Sequence, residues 1–348
     1  MKTPRIPHND RAVARWLLIC CALVFFMIVL GGFTRLTGSG LSMVDWRPVV
    51  GWLPPLTDAA WQESFAAYQQ SPEFQKVNSD MDVAGYKKIF WLEYLHRLLG
   101  RIIGLVFIVP FIWFAARGVI ARRDWPKYLL MFVLGGLQGV LGWYMVKSGL
   151  VNDPHVSQYR LTAHLSAAIL IYAYMFWVAL SLLYPKTGPR HPWFGRTAAL
   201  VALILFTVVS GGFVAGLKAG HIYNTFPMMG NDWIAPGALA LDPLWRNITE
   251  NPVTAQFDHR LLAITTFVLI VIYFIRARRQ GFSARAFKAT KALLHSAVLQ
   301  VALGITTLLM SVPILLGAMH QAVAIVLFTS GFFLLHSLRS TDDASDFS

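Results

Sequence analysis

Apolar residues run along this chain in long blocks separated by polar stretches. Eight blocks reach the roughly 20 residues a helix needs to cross a hydrocarbon core about 30 Å thick. They are 15–34, 89–116, 127–147, 160–183, 196–216, 254–276, 288–310 and 315–337. Backbone groups in lipid must be satisfied within their own segment, so each block reads as a helix. The predicted class is an all-α integral membrane protein with eight transmembrane helices. Two connecting segments are long, 35–88 and 217–253. Loops of that size tend to be functional or separately folded. Their Trp46, Trp52, Trp61, Trp233 and Trp245 also suit aromatic anchoring at a membrane interface.

The pattern occurs twice. Gly31-Gly32-Phe33 ends the first block and Gly211-Gly212-Phe213 the fifth. Pro48-Val49-Val50-Gly51 follows in the first long loop, and Pro227-Met228-Met229-Gly230 in the second. His96-Arg97-Leu98-Leu99 lies in the second helix and His259-Arg260-Leu261-Leu262 in the sixth. Gln138-Gly139-Val140-Leu141-Gly142 corresponds to Gln300-Val301-Ala302-Leu303-Gly304, and His164 to His320. Each half has an even number of helices, so both halves enter the membrane in the same direction. The repeats should be related by an axis along the membrane normal. This predicts two pseudo-symmetric four-helix bundles, residues 1–183 and 184–348.

Charge sets the direction. Only 14% of the 348 residues are charged, against about 25% in ordinary soluble domains. The net charge of +13 sits in short clusters between apolar blocks. That excludes a basic nucleic-acid-binding domain. With the N-terminus inside, the inner segments hold Lys2, Arg5, Arg11 and Arg15; Arg117, Arg122, Arg123 and Lys127; Lys186, Arg190 and Arg196; Arg276 to Lys291; and Arg339. This asymmetry predicts cytoplasmic termini. No small-residue cleavage site ends the first block, which reads as a retained helix. The lack of a long Arg/Ser-rich amphipathic leader favours a bacterial membrane. Cys20 and Cys21 are adjacent inside the first block, where neither a mutual structural disulfide nor zinc spacing is available.

Of ten histidines, His96, His164, His259 and His320 lie near the outer ends of even-numbered helices. At about 1.5 Å rise per residue they share one depth in the outer leaflet. A lone membrane histidine is commonly a packing residue. Four at repeat-matched positions favour function, because an intramembrane ionisable group is costly. Two imidazoles on different helices suit the axial positions of an iron porphyrin. Zinc fits less well, since neither half adds suitable Cys, Asp or Glu ligands. Arg97 and Arg260 follow a candidate ligand directly and match porphyrin propionates; Arg35 is a weaker candidate. Interfacial snorkelling is the alternative for these arginines. His295 and His336 fall toward the opposite ends of their helices and are read as structural.

One position breaks the repeat. Glu93 precedes His96 by three residues and shares its helix face, whereas the corresponding residue is Gln256. A carboxyl group beside one porphyrin site suits proton transfer or stabilisation of developing positive charge. A structural ion pair to Arg97 at i+4 is the competing reading.

Glu93-Tyr94-Leu95-His96-Arg97 resembles the ExxHR signature of the heme A synthase family. His164, His259-Arg260, His320 and Asn224-Thr225-Phe226-Pro227-Met228 are similar to that family's pattern, over about Trp16 to His336. The resemblance implies an oxidoreductase that converts the C8 methyl of heme O to a formyl group, giving heme A for cytochrome oxidase. It implies substrate between His96 and His164, with Arg97 nearby and Glu93 catalytic. It implies a heme b cofactor between His259 and His320, with Arg260 nearby. The expected setting is a bacterial inner membrane with both hemes near the periplasmic side. Candidate partners are heme O, an electron acceptor, a heme O synthase, lipid and a second copy of the chain. Some relatives carry cysteine pairs in their outer loops. This chain has none there, which argues against a thiol redox step. Two other readings stay open: a di-heme b-type electron-transfer subunit without porphyrin chemistry, and a transporter built from parallel repeats.

Overall fold

The structure is a computed structural model that describes residues 8–45, 51–151 and 154–340. Trp46, the Pro48-Val49-Val50 of the first loop motif, Lys2 and Arg5 lie outside those residues. The described residues form eleven α-helices: α1 (His8–Leu36), α2 (Asp58–Gln69), α3 (Pro72–Lys76), α4 (Val83–Ala116), α5 (Trp125–Lys147), α6 (Gln158–Leu183), α7 (Phe194–Gly216), α8 (Asn247–Glu250), α9 (Pro252–Ala277), α10 (Ala284–Leu309) and α11 (Ile314–Ser337). Among the described residues there is no named β-strand, only an isolated bridge between Met229 and Asp232. Among the described residues eight helices are long and apolar enough to cross a membrane, namely α1, α4 to α7 and α9 to α11. This is a multi-pass, all-α membrane protein.

The eight predicted segments are all helices, with the largest differences at their starts. Helix α1 begins at His8 and α4 at Val83, each several residues before the apolar block. Asp82 explains the second case, because its carboxylate accepts from the Gly85 N–H and caps the helix in a polar stretch. Side-chain caps start other helices at loops. Asn251 accepts from Val253 and Thr254 N–H ahead of Pro252, and Ser283 accepts from Ala286 N–H.

The chain forms two compact units. One is Trp16–Tyr172. Within it, Trp16 Nε1 donates to Val106 O, joining α1 to α4. Phe107 stacks on Phe132, joining α4 to α5. Gln138 donates to His164 O, joining α5 to α6. Cys21 Sγ lies 3.9 Å from Tyr172 O, returning from α1 to α6. Four helices therefore close a circuit.

The other unit joins the segment up to Arg15 with Ala173 onward. There α7 packs on α9, α9 on α10, α10 on α11, and α11 on α7. Phe328, Ile325, Leu293, Ile270 and Ile204 are fully buried in that bundle. Each such side chain contributes roughly 1.5–3 kcal/mol on leaving water, and between apolar solvents the term becomes one of packing density.

The first long loop is a small folded layer. Trp61, Phe65 and Tyr68 of α2 pack against Tyr86, Phe90 and Tyr94 of α4. Trp61 is buried there, not anchored at an interface. Trp52, Trp233 and Trp245 are exposed, as the anchoring reading requires. Ser64 and Tyr86 hydroxyls pair at 2.7 Å, and Tyr94 Oη donates to Trp52 O at 2.6 Å. Burial pushes the Tyr68 phenol well above its ordinary range, so it stays a neutral donor to Glu73.

Candidate heme sites

All four repeat-matched histidines lie on membrane-crossing helices, and each ring packs against a glycine of a neighbouring helix. A Cβ built on Gly31 of α1 would sit 3.1 Å from His96 Cε1 of α4. On Gly211 of α7 it would sit 3.1 Å from His259 Cε1 of α9. On Gly142 of α5 and Gly304 of α10 it would come within 2.9 Å of His164 Cε1 and His320 Cε1. Such approaches are below ordinary van der Waals contact. Any other residue at these positions would push the imidazole away, so the glycines define a cradle for each ring.

His96 and His164 lie within electrostatic reach of one another, and so do His259 and His320. Gln138 Nε2 is 3.1 Å from His164 Nδ1 and donates to His164 O at 2.8 Å. Ser210 Oγ is 2.8 Å from His259 Nδ1. These contacts orient the two rings and leave Nε2 for another partner. Gln300 Nε2 lies 3.3 Å from His320 Nε2. His96 Nδ1 and His320 Nδ1 are buried without a hydrogen-bond partner, as are Gln138 Oε1 and Gln300 Oε1. Orphaned buried groups of this kind cost about 1–3 kcal/mol each. Two imidazoles with uncommitted nitrogens in each unit, touched by amides and a hydroxyl, suit axial ligation of a flat iron macrocycle. The residues fit a heme in each unit. Among the described residues no three His, Cys, Asp or Glu side chains converge as a set for a bare ion.

The candidate carboxylate is not loose. Glu93 is 3% exposed, and both of its oxygens are engaged. Arg97 donates to Oε1 at 2.6 Å, while Ser42 Oγ and Met43 N–H donate to Oε2 at 2.7 and 2.9 Å. Arg97 also donates to Met43 O and Asp45 O, both at 2.8 Å. The segment after α1 is thereby clamped onto α4 beside His96. The i+4 ion pair weighed from the sequence is present.

The second unit builds its clamp with opposite chemistry. Gln256 donates through Nε2 to Ala219 O and Tyr223 O. Arg260 donates to Thr225 O, Met228 O and Tyr223 O. Asn224 ties the same loop to Leu308 O at the end of α10, and Thr225 Oγ1 accepts from Gly230 N–H. The Asn224-to-Met228 motif is thus a strap over the His259 end of its bundle. Both arginines hold loop carbonyls. Sequence reasoning offered propionate pairing or snorkelling for them and missed this role, because nothing in the pattern announces a backbone acceptor.

The cradle glycines and the two glutamines were visible as repeat markers without an assigned purpose. His336 is buried edge-on to Trp177 with Ser181 Oγ 3.3 Å away, and His295 is exposed on α10. Both lie apart from the two imidazole pairs.

The sequence pattern of the COX15-CtaA family, described as "Cytochrome oxidase assembly protein", matches residues 14–332. The chain belongs to this family. It is 50% identical over 335 residues to the heme A synthase of Nitrosospira multiformis, covering 95% of this chain and 94% of that protein. It is 47% identical over 342 residues to the heme A synthase of Paramagnetospirillum magneticum, covering 95% and 94%. It is 43% identical over 343 residues to human heme A synthase COX15, covering 95% and 83%. The match takes in all eight membrane helices except the first turns of α1 and the last turn of α11. It therefore includes all four histidines, their glycines and Glu93.

Proposed function

We propose that this chain is a heme A synthase, an oxidoreductase that takes the C8 methyl of heme O to the formyl group of heme A. The observation that carries the reading is the set of four imidazoles, each cradled on a glycine and two of them within electrostatic reach of one another in each unit. The family assignment supplies the reaction class. In this proposal the N-terminal half, 1–183, receives heme O between His96 and His164. The C-terminal half, 184–348, holds heme b between His259 and His320. A bound heme b supplies one-electron transfer between the substrate site and an acceptor.

The chain's own residues supply position and field. Gly31 and Gly142 let two imidazoles approach the macrocycle plane. Gln138 fixes the orientation of the His164 ring. Glu93 lies one turn before His96, held by three donors from Arg97, Ser42 and Met43. A fixed carboxylate costs no reorganisation when positive charge develops on the methyl carbon, and the water-poor bundle strengthens its effect. Gln256 brings no formal charge to the other half, which suits a site that passes electrons without modifying its porphyrin. The basic clusters support cytoplasmic termini, with the histidine ends of the helices toward the periplasmic face of a bacterial inner membrane.

The test is extraction and mass measurement of the porphyrins from purified protein made in a host that produces heme O. The expected result is heme b together with heme O, its hydroxylated derivative or heme A. Heme b alone in both sites, with no formyl product formed, would establish the di-heme electron-transfer reading instead.

A further inference from the structure

A cavity of about 250 Å³ opens in the unit that holds His96 and His164, lined in part by Val44, Arg97, Trp143, Val146 and Lys147. Arg97 directly follows His96. Trp143 directly follows Gly142, the cradle of His164. The cavity is thus lined by the residue next to His96 on α4 and the residue next to the His164 cradle on α5. Pockets that enclose a drug-sized ligand run from about 300 to 1,000 Å³, so this volume suits one arm of a porphyrin and not the macrocycle.

Its lining has a definite chemistry. The Lys147 ammonium lies 5.1 Å from the Trp143 ring centroid, and no carboxylate pairs with it among the described residues. Arg97 adds a second positive charge, held in place by Glu93 and two loop carbonyls. Lys147 sits in the last turn of α5, where the helix carbonyl end favours a cation. Valine, leucine and indole surfaces make up the remainder. A short alkyl chain ending in a carboxylate matches such a lining.

The other half lacks these features. Counting from Gln300 and Gly304, the residues corresponding to Trp143 and Lys147 are Ile305 and Leu309. No cation or aromatic ring stands at either place. A resident group need only be held, whereas a substrate must be recognised on each visit.

We propose that this cavity is a carboxylate subsite that recognises one propionate arm of the incoming porphyrin, with Lys147 as the ion-pair donor and Trp143 positioning the ammonium. The inference rests on the assignment of the N-terminal pair as the substrate site. The experiment uses full-length protein with its C-terminal heme in place, titrated with heme O and with heme O dimethyl ester. Binding is followed by the Soret difference spectrum. Wild-type protein should prefer the diacid by about tenfold, the size of one charge-assisted hydrogen bond. Lys147→Gln should weaken diacid binding by about that factor and leave ester binding unchanged. Lys147→Arg should keep most of the preference. In turnover, Lys147→Gln should raise KM for heme O with kcat retained. The unchanged spectrum of the C-terminal heme reports that each variant is folded. Equal loss of diacid and ester binding, or no loss of either, would overturn the subsite alone. Wild-type protein that takes up neither porphyrin while retaining its C-terminal heme would overturn the substrate assignment, and the subsite with it.

Discussion

Gly142→Ala separates the helix from the site it serves. The added methyl would lie 2.9 Å from His164 Cε1, 3.5 Å from Nδ1 and 3.6 Å from Nε2. Carbon pairs settle at about 3.5–4.0 Å, so the ring must retreat by roughly 0.5–1 Å. An unligated imidazole can do so by turning about its side-chain bonds, at a cost of about 0.5–1.5 kcal/mol for a ~30° departure from its rotamer. Replacing glycine by alanine inside a helix returns about 0.8–1.0 kcal/mol. The two terms nearly cancel, so thermal stability without substrate should stay within about 1 kcal/mol of wild type. A ligated ring has no such freedom, because the iron fixes its nitrogen. A displacement near 1 Å at a reacting centre costs about a hundredfold in rate. Gly139 lies one turn earlier in the same helix and a Cβ there meets nothing within 4 Å, so Gly139→Ala is the matched control. The assay is heme O uptake by optical titration, together with formyl-porphyrin yield and a melting curve. Gly142→Ala should lose uptake and product while melting like Gly139→Ala. Equal product from the two variants would refute the cradle, and a large drop in melting temperature for Gly142→Ala would show that the glycine serves packing instead.

Gln300→Leu removes the amide beside His320 and should lower heme retention in the C-terminal half by about 10- to 100-fold while shifting its midpoint potential. An unchanged potential and off-rate would show that the amide does not orient the ring. Glu93→Gln should cut formyl product by about 10²–10³ and leave the C-terminal heme spectrum intact, because His259 and His320 belong to the other unit. Ser42→Ala removes one of the same hydrogen bonds and keeps the carboxylate, so its cost should be only about 0.5–1.5 kcal/mol of loop stability with most product retained. Equal loss of product in Ser42→Ala and Glu93→Gln would mean that Glu93 acts only through the loop.

The membrane helices were legible because hydrophobic length is a physical requirement and leaves a long signal. Their starts were less so. At Val83 the first turns of α4 are set by the Asp82 cap and by Tyr86 and Phe90 packing on α2, which a hydropathy window does not weigh. The chain organisation was readable from repeated motifs, yet the motifs did not disclose their purpose. Gly31 and Gly211 read only as matched helix ends, and Gly142 and Gly304 only as partners in a repeat. Each proves to be an absence of side chain required by an imidazole on another helix, and no local pattern encodes that distance. Trp61 misled for a related reason: an aromatic residue in an outer loop has the same sequence signature whether it meets lipid or the interior of a small folded layer.

The exchange of Glu93 for Gln256 has a structural account that does not involve chemistry. In one unit the loop after α1 presents a hydroxyl and an N–H to α4, and an acceptor must stand there. In the other, the loop after α7 presents two carbonyls to α9, and a donor must stand there. Glutamine at 93 could still accept from Ser42 and Met43 through its amide oxygen, but its amide nitrogen would then face the Arg97 guanidinium, donor against donor, and glutamate at 256 would face two carbonyl oxygens with its own negative charge. The asymmetry of the repeat thus matches the opposite polarity of the two loops, together with the Arg97 guanidinium that stands against Glu93. What the contacts add for catalysis is placement: a carboxylate fixed by three donors one turn from a ligand can act on charge that develops in only one direction. Anchoring and electrostatic action are therefore not rivals at this position, since the hydrogen bonds that close the loop also hold the carboxylate in the geometry from which it would work.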